Sequence, residues 1–389
     1  MSRRPTRVAG IDPGTVSFDV CVLTGEEVSV DRSFPTAEVV GDPEGFAGFL
    51  QEEGRLDLVV GPSGYGLPWV SGADVGAEDI RLMTLAASVG GAGVGDPGGS
   101  SAVGSGVVPG MDRLIEVLCA GGLPLIFCPG VIHLNSVPAH RKVNRIDMGT
   151  ADKLCAVVLG VWDQARRFGI SYAQTSFVYL ELGGAFTALV VVEEGRIVDG
   201  LGGTSGPLGY RAAGALDGEV AALIGPGKDD LGTGGVAWVA GRPAALPAEL
   251  LESDDPRAVL GWEAFFEGLA VAVAGRLAYA EPREILLSGR LSRLPALRDE
   301  LTRRLEGLAP VRRVEGFASE AKEAAQGAAL IAQELVERRD GAVAKAGLLD
   351  AMDLLEAEGC VLDHLYVDGA RSLRKLYGMV EGSAPGRRR

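Results

Sequence analysis

Cationic residues are scarce in this chain. Lys and Arg number 37 against 52 Asp and Glu, a net charge of −15. A surface of that sign repels phosphate backbones and anionic membranes, so neither nucleic acid nor membrane is expected as a partner. An anionic small ligand remains compatible, because a local basic pocket can sit in an acidic protein. Cysteine is equally thin: Cys21, Cys119, Cys128, Cys155 and Cys360 are odd in number, scattered, and form no C-x-x-C pair. That argues against a zinc knuckle or a redox motif and for free thiols in a reducing compartment. Histidine occurs three times. His133 and His140 lack the spacing of ligands on adjacent helix turns, so a histidine metal site is not expected. No signal-type stretch follows the basic start, and no apolar run is expected to approach the ~20 residues of a membrane helix. A cytoplasmic protein is the expectation.

What is present is core-forming material. Of 389 residues, 47% are apolar, enough for two domains. The pattern predicts three short strands over 6–33, a helix over 43–53, a strand over 56–61, a helix over 111–120, a strand over 123–129 and a helix over about 150–168. VIHL, after Pro129-Gly130, reads as a strand. The order then repeats: strands over about 175–200, a helix over 258–280, a strand over 283–289, a helix from about 293, a short strand VRRVEGF and a helix over SEAKEAAQGAALIAQELVERR. The Gly-, Ala-, Val- and Ser-rich stretch Ser88–Gly110 reads as a mobile loop. The expected division is 1–170, 171–340 and a helical C-terminal extension, 341–389, ending in a disordered tail.

The most informative feature is a duplicated meander. VAGIDPGTVSFDVCVLTGEEVSVDRS, from Val8, and VYLELGGAFTALVVVEEGRIVDG, from Val178, each run apolar strand, acid, glycine turn, strand, tight glycine turn (Gly25, Gly195), strand. Asp12 with Gly14 and Thr15 forms the first turn; Glu181 with Gly183, Gly184 and Thr187 forms the second. Backbone N–H donors, a hydroxyl and a carboxylate able to hold Mg²⁺ are what a triphosphate needs. Each turn alone is ordinary hairpin chemistry. The matched pair points to one phosphate chain held between two related halves.

Three further segments carry chemistry. Ser288-Gly289-Arg290, between a strand and a helix, suits a nucleoside, with Ser292 as a helix N-cap in the simpler reading. Gly203, Thr204 and Ser205 lie in the glycine-dense loop after the second meander and offer donors near a phosphoryl group. The small residues Ala324–Ala329 permit close packing against a helix or a flat purine.

Together these segments resemble the superfamily of acetate and sugar kinases, actin and heat-shock chaperone ATPases, over about residues 6–335. Its first phosphate, second phosphate and adenosine motifs correspond to Gly10–Thr15, Glu181–Thr187 and Leu287–Ser292. Within it, RIDMGTADK (Arg145–Lys153) is similar to a prokaryotic family labelled predicted butyrate kinases. The resemblance implies an α/β architecture of duplicated ribonuclease-H-like (actin-like ATPase) domains with a central ATP cleft. It implies ATP and Mg²⁺ as cofactors, with Asp12 and Glu181 toward the metal. It also implies γ-phosphoryl transfer to a small-molecule acceptor, plausibly a short-chain carboxylate. An ATP-hydrolysing activator or switch is the alternative. The chain departs from the pattern at Glu181, where Asp is usual, and at Ser288-Gly289, where Gly-Gly is usual.

The acceptor side is expected at His140–Asp147. Asp147 would be the acid near the acceptor oxygen or, for a carboxylate acceptor, a metal or water positioner. Arg141 and Arg145 could hold a carboxylate in a fork. Lys153 is a phosphate contact or a solvated helix charge. The Gly61–Pro68 loop could line the pocket, with Tyr65 or Trp69 as its apolar wall. The apolar segment Gly347–Leu376 suits packing across a homodimer.

Overall fold

The computed structural model describes residues 4–377 except 63, 66, 86–109, 226, 228 and 342–346. The expected loop over Ser88–Gly110 and the C-terminal tail fall almost entirely outside the described residues.

The first sheet holds β1 (Arg7–Pro13), β2 (Ser17–Thr24), β3 (Glu27–Pro35), β4 (Leu58–Pro62), β5 (Val70–Ser71) and β6 (Leu125–Cys128), in the order β3-β2-β1-β4-β6-β5. The second holds β7 (Phe177–Leu182), β8 (Thr187–Glu193), β9 (Arg196–Leu201), β10 (Glu284–Ser288) and β11 (Val311–Arg313), in the order β11-β10-β7-β8-β9. Leaving out the two-residue β5, the two orders are the same. The first strand is antiparallel to the second and parallel to the fourth, and the fourth is parallel to the fifth. The duplicated meander of the sequence is thus part of a duplicated sheet. The short strands β1, β2, β7 and β8 are buried nearly end to end, as strands covered on both faces should be.

Two helices lie between the sheets, Ala151–Phe168 from the first half and Glu323–Arg339 from the second. Each packs on the first strand of the other half. Gly160 lies against the rings of Phe177 and Tyr179 on β7. Ala325 and Ala329 lie against Gly10 on β1, where a Cβ would sit 2.1 Å from the Ala325 carbonyl oxygen. The helices touch one another at Gly327, where a Cβ would come within 1.7 Å of the Cys155 carbonyl. The small residues 324–329 therefore serve close backbone approach. Residues of both sheets, both helices and the C-terminal segment form one continuous core.

Two expectations are corrected. VIHL is not a strand: Val131–His133 is a single 3₁₀ turn, with Val131 N–H donating to the Gly149 carbonyl rather than into the sheet. A helix long and apolar enough to cross a membrane does exist, Pro256–Leu277. It is the helix expected over 258–280, and Glu263, Glu267 and Arg276 interrupt its apolar run. Its Trp262, Phe265, Phe266, Leu269 and Val273 are buried in the core beside the second sheet. The C-terminal segment is helical in part, Leu348–Ala351 and Ala370–Leu376. Its Leu348, Leu349, Met352, Val361 and Leu362 join the chain's own core.

Candidate functional site

The carboxyl ends of β1 and β7 face one cleft of about 260 Å³, lined from both halves. This is where an open α/β sheet presents loops to a ligand.

Asp12 ends β1 and is 5% exposed. Its register partner on β2 is Asp19, which is fully buried. Lys322, just before the Glu323–Arg339 helix, reaches both: Nζ lies 3.1 Å from Asp12 Oδ2 and 2.8 Å from Asp19 Oδ2. Ser17 donates a further hydrogen bond to Asp19 Oδ2 at 3.0 Å, while Asp19 Oδ1 is buried without a partner. Burial pushes the Asp12 carboxyl up to about 6; Lys322 opposes this, and Asp152 and Asp19 add to it. The same forces hold Lys322 charged, well above the ordinary lysine value, because its two carboxylates outweigh its burial. Gly14 is required where it stands, since a Cβ there would lie 2.6 Å from Lys322 Nζ. Thr15 lines the cleft and is exposed.

The second turn differs. Gly183 N–H donates to the Phe186 carbonyl at 3.0 Å, and Gly183, Gly184 and Phe186 line the cleft. Glu181 is paired with Lys153: Glu181 Oε2 lies 2.9 Å from Lys153 Nζ, which also holds Asp152 Oδ2 at 2.5 Å. Lys153 is therefore a partly buried charge between two carboxylates, not a solvated helix charge. Burial alone would lower its pKa, but Asp152 and Glu181 raise it. Thr187 points elsewhere: its hydroxyl is fully buried, without a partner, and outside the cleft lining.

Ser288, Gly289 and Arg290 reach the cleft together. Gly289 has φ +78°, and a Cβ would lie 2.5 Å from the Leu182 carbonyl oxygen, which ties this turn to the turn after Glu181. Arg290 crosses to the other half, donating to Ser17 Oγ at 3.3 Å. The Ser292 hydroxyl bonds back to the Gly289 carbonyl at 2.7 Å.

Asp147 also lines the cleft, yet its oxygens are committed to the glycine loop. Oδ2 accepts from Thr204 N–H and Thr204 Oγ1, each at 2.9 Å, and Oδ1 from Gly149 N–H at 3.3 Å. Its carbonyl accepts from Ser205 Oγ and from Gly202 N–H. Gly202 has no room for a Cβ beside the Asp147 carboxylate. Burial raises the Asp147 pKa against those hydrogen bonds. Gly203 faces the cleft, whereas Thr204 and Ser205 turn to Asp147. The structure does not bring Arg141 to this site: it donates to the Val198 carbonyl at 2.8 Å and stacks 3.9 Å from the Tyr279 ring centre. Arg145 is outside the lining as well. From the Gly61–Pro68 loop, Gly61, Pro62, Gly64 and Tyr65 line the cleft, and Ser63 and Gly66 lie outside the described residues. Trp69 instead donates to the Leu354 carbonyl at 2.7 Å.

A family pattern for proteins of unknown function, DUF1464, matches residues 10–367. The chain belongs to the DUF1464 family. No curated protein matches it. Among solved structures, this DUF1464 member is similar to an acetate kinase from Porphyromonas gingivalis, with TM-score 0.58, 12% identity and coverage of 85% of this chain and 100% of the other. A propionate kinase from Francisella tularensis gives 0.57 and 11%, with coverage of 83% and 98%. The acetate kinase from Entamoeba histolytica gives 0.55 and 10%, with coverage of 78% and 87%. At such identities the likeness establishes the fold, α/β with two mixed sheets as in acetate kinase, and nothing finer.

Three groups escaped sequence reasoning: Lys322, which lines the cleft, and Asp19 and Asp31, which hold Lys322 and the chain before it from behind. Asp19 is the lone charge in the otherwise apolar strand SFDVCVLT, a signal available in the sequence. Asp31 on β3 accepts from the backbone N–H groups of Ser319, Glu320 and Ala321, at 2.7, 3.1 and 2.6 Å, and so fixes the approach to Lys322. Lys322 repeats, three residues after Ser319, the placing of Lys153 after Thr150.

Proposed function

We propose that this chain is an ATP-dependent kinase that transfers the γ-phosphoryl group to a small acceptor. A short-chain carboxylate, of the acetate, propionate or butyrate kind, is the favoured acceptor. The observation that carries the reading is the convergence of both acid-ended first strands, Lys153, Lys322 and the Ser288–Arg290 turn on one cleft between like sheets. Structural likeness to enzymes named acetate kinase and propionate kinase supports the same reading.

In this reading Gly14, Gly183 and Gly184 present backbone to the phosphates, because no side chain intervenes. Arg290 lies at the nucleoside end and braces the two halves through Ser17. The donor set around Asp12 fits Mg²⁺. Two buried carboxylates, Asp12 and Asp19, share the single ammonium of Lys322, and Asp19 Oδ1 has no partner, so a further cation would find unmatched negative charge there. Mg²⁺ is commonly held by one or two carboxylates plus phosphate and water. Asp12, backed by Asp19, would hold it, with Glu181 facing the cleft from the other half; each of the two acids also pairs with a lysine. Among the described residues, no three His, Cys, Asp or Glu side chains form a ready-made metal cage. When bound there, Mg²⁺ would supply positive charge to offset that of the phosphates. A carboxylate acceptor has no proton to lose, which suits an Asp147 engaged in holding the 202–205 loop. Tyr65 lines the same cleft, with its hydroxyl kept neutral chiefly by burial.

The test is coupled ADP release with a panel of short-chain acids, sugars and polyols. Acid-dependent ADP formation is expected. Sugar-dependent release would reassign the acceptor, and ATP loss without any acceptor would replace the kinase by an ATP-driven switch.

A further inference from the structure

We propose that Lys153 and Lys322 form a reciprocal clamp for a polyphosphate chain, each half of the molecule lending its lysine to the other half's acid. The inference rests on reading the cleft as a phosphate site.

The two lysines are placed alike. Each stands at the start of the last helix of its half, three residues after a hydroxyl side chain: Thr150 before Lys153, Ser319 before Lys322. Each of those helices packs on the first strand of the opposite half, through Gly160 on β7 and through Ala325 on Gly10 of β1. That exchange carries each lysine to the acid ending the opposite first strand: Lys153 of the first half to Glu181, and Lys322 of the second half to Asp12. A second carboxylate completes each pair, Asp152 for Lys153 and Asp19 for Lys322. Both lysines line the single cleft.

An ammonium group has three N–H donors. Two carboxylates orient each lysine and leave a third donor, for which no protein acceptor occurs among the described residues. Paired in this way, a lysine stays charged and its chain is pre-ordered, so little rotamer freedom is lost when phosphate arrives. Lys322 lies over the Gly14 backbone, beside the first turn. Glu181 gains a reason for its length: the longer side chain meets Lys153, which Asp152 has already drawn toward the cleft.

The probe is inorganic tripolyphosphate, titrated calorimetrically into the full chain, with Mg-ATP and adenosine in parallel. Wild type is expected to bind tripolyphosphate, and Lys153→Gln and Lys322→Gln each to weaken it by about tenfold or more, the loss of one charge-assisted hydrogen bond. Adenosine affinity should stay unchanged. Folded glutamine variants that bind tripolyphosphate as wild type does would overturn the clamp. Wild type binding tripolyphosphate but neither ATP nor adenosine would keep the clamp and remove the nucleotide reading. Wild type binding adenosine but not tripolyphosphate would remove the clamp and leave a nucleoside site. If a glutamine variant fails to fold, Lys153→Arg and Lys322→Arg, which keep the charge, should bind tripolyphosphate about as wild type does. Wild type that does not bind it would sink the proposal.

Discussion

Asp12 and Glu181 end equivalent strands of equivalent sheets, yet their surroundings differ. Asp12 shares Lys322 with Asp19, its register partner on the paired strand, and both acids are buried. Glu181 shares Lys153 with Asp152, the residue next to that lysine on its own helix, and this pair is less deeply buried. Duplication copied the backbone, because strand pairing depends on an apolar pattern that many side chains satisfy. It did not copy the chemistry, which depends on single side chains. At the first turn both acids that meet the lysine come from the meander; at the second, one of them comes with the lysine.

The largest expected effect breaks this contrast directly. Asp12→Asn should lower acceptor-dependent ADP release by about a thousandfold, near 4 kcal/mol in activation free energy. Glu181→Gln should cost only about tenfold, since Lys153 keeps Asp152. Equal losses in the two variants would end the asymmetry.

The next prediction concerns the helices that exchange between halves. Gly327→Ala places a Cβ within 1.7 Å of the Cys155 carbonyl, between two backbones that cannot yield separately. A loss of about 3 kcal/mol in urea unfolding is expected. Gly184→Ala meets nothing nearer than Arg290 Cδ at 3.8 Å, so its stability should change by less than about 0.5 kcal/mol. Similar losses for both would mean that the helices do not approach so closely.

Asp147→Asn tests whether that residue holds the glycine loop. Asparagine retains one acceptor and should destabilise the protein by about 1–2 kcal/mol. KM for ATP should rise more than kcat falls. A collapse of kcat with unchanged stability would make Asp147 a group that touches the reacting atoms.

The smallest effect is a pH dependence. Burial works to raise the Asp31 pKa, but hydrogen bonds from Ala321, Glu320 and Ser319 prevail and lower it. A carboxyl with a depressed folded-state pKa contributes stability above its unfolded value of ~3.9 and loses it as pH falls through the folded value. Wild type should therefore lose urea stability more steeply than Asp31→Asn as pH drops from about 5 to 3. Parallel curves would show that Asp31 does not fix the approach to Lys322.

Much of the fold was legible in the sequence. The strands and helices of both halves follow alternation, short apolar runs and glycine punctuation, which act over a few residues. VIHL misled because a short apolar run after Pro-Gly fits a strand or a turn equally well. Pro256–Leu277 misled because its charged residues break the run while its mean hydropathy stays high, at 1.4. In the site, both acid turns and the Ser288–Arg290 turn were legible, because strand, turn and ligand chemistry lie side by side. Arg141 was not, since a polar cluster in sequence need not face one cavity: the chain after Pro138 turns it toward Tyr279 and Val198.

By itself, the sequence determined that two like meanders, each with an acid and glycines at its first turn, would recur in one α/β chain. Local periodicity and turn chemistry suffice for that. Only the tertiary structure decided which cation each acid meets. Lys322 lies far along the chain from Asp12, and Lys153 reaches Glu181 only because helices cross between halves. Small residues allow that crossing, and no local pattern records which strand a helix will pack against.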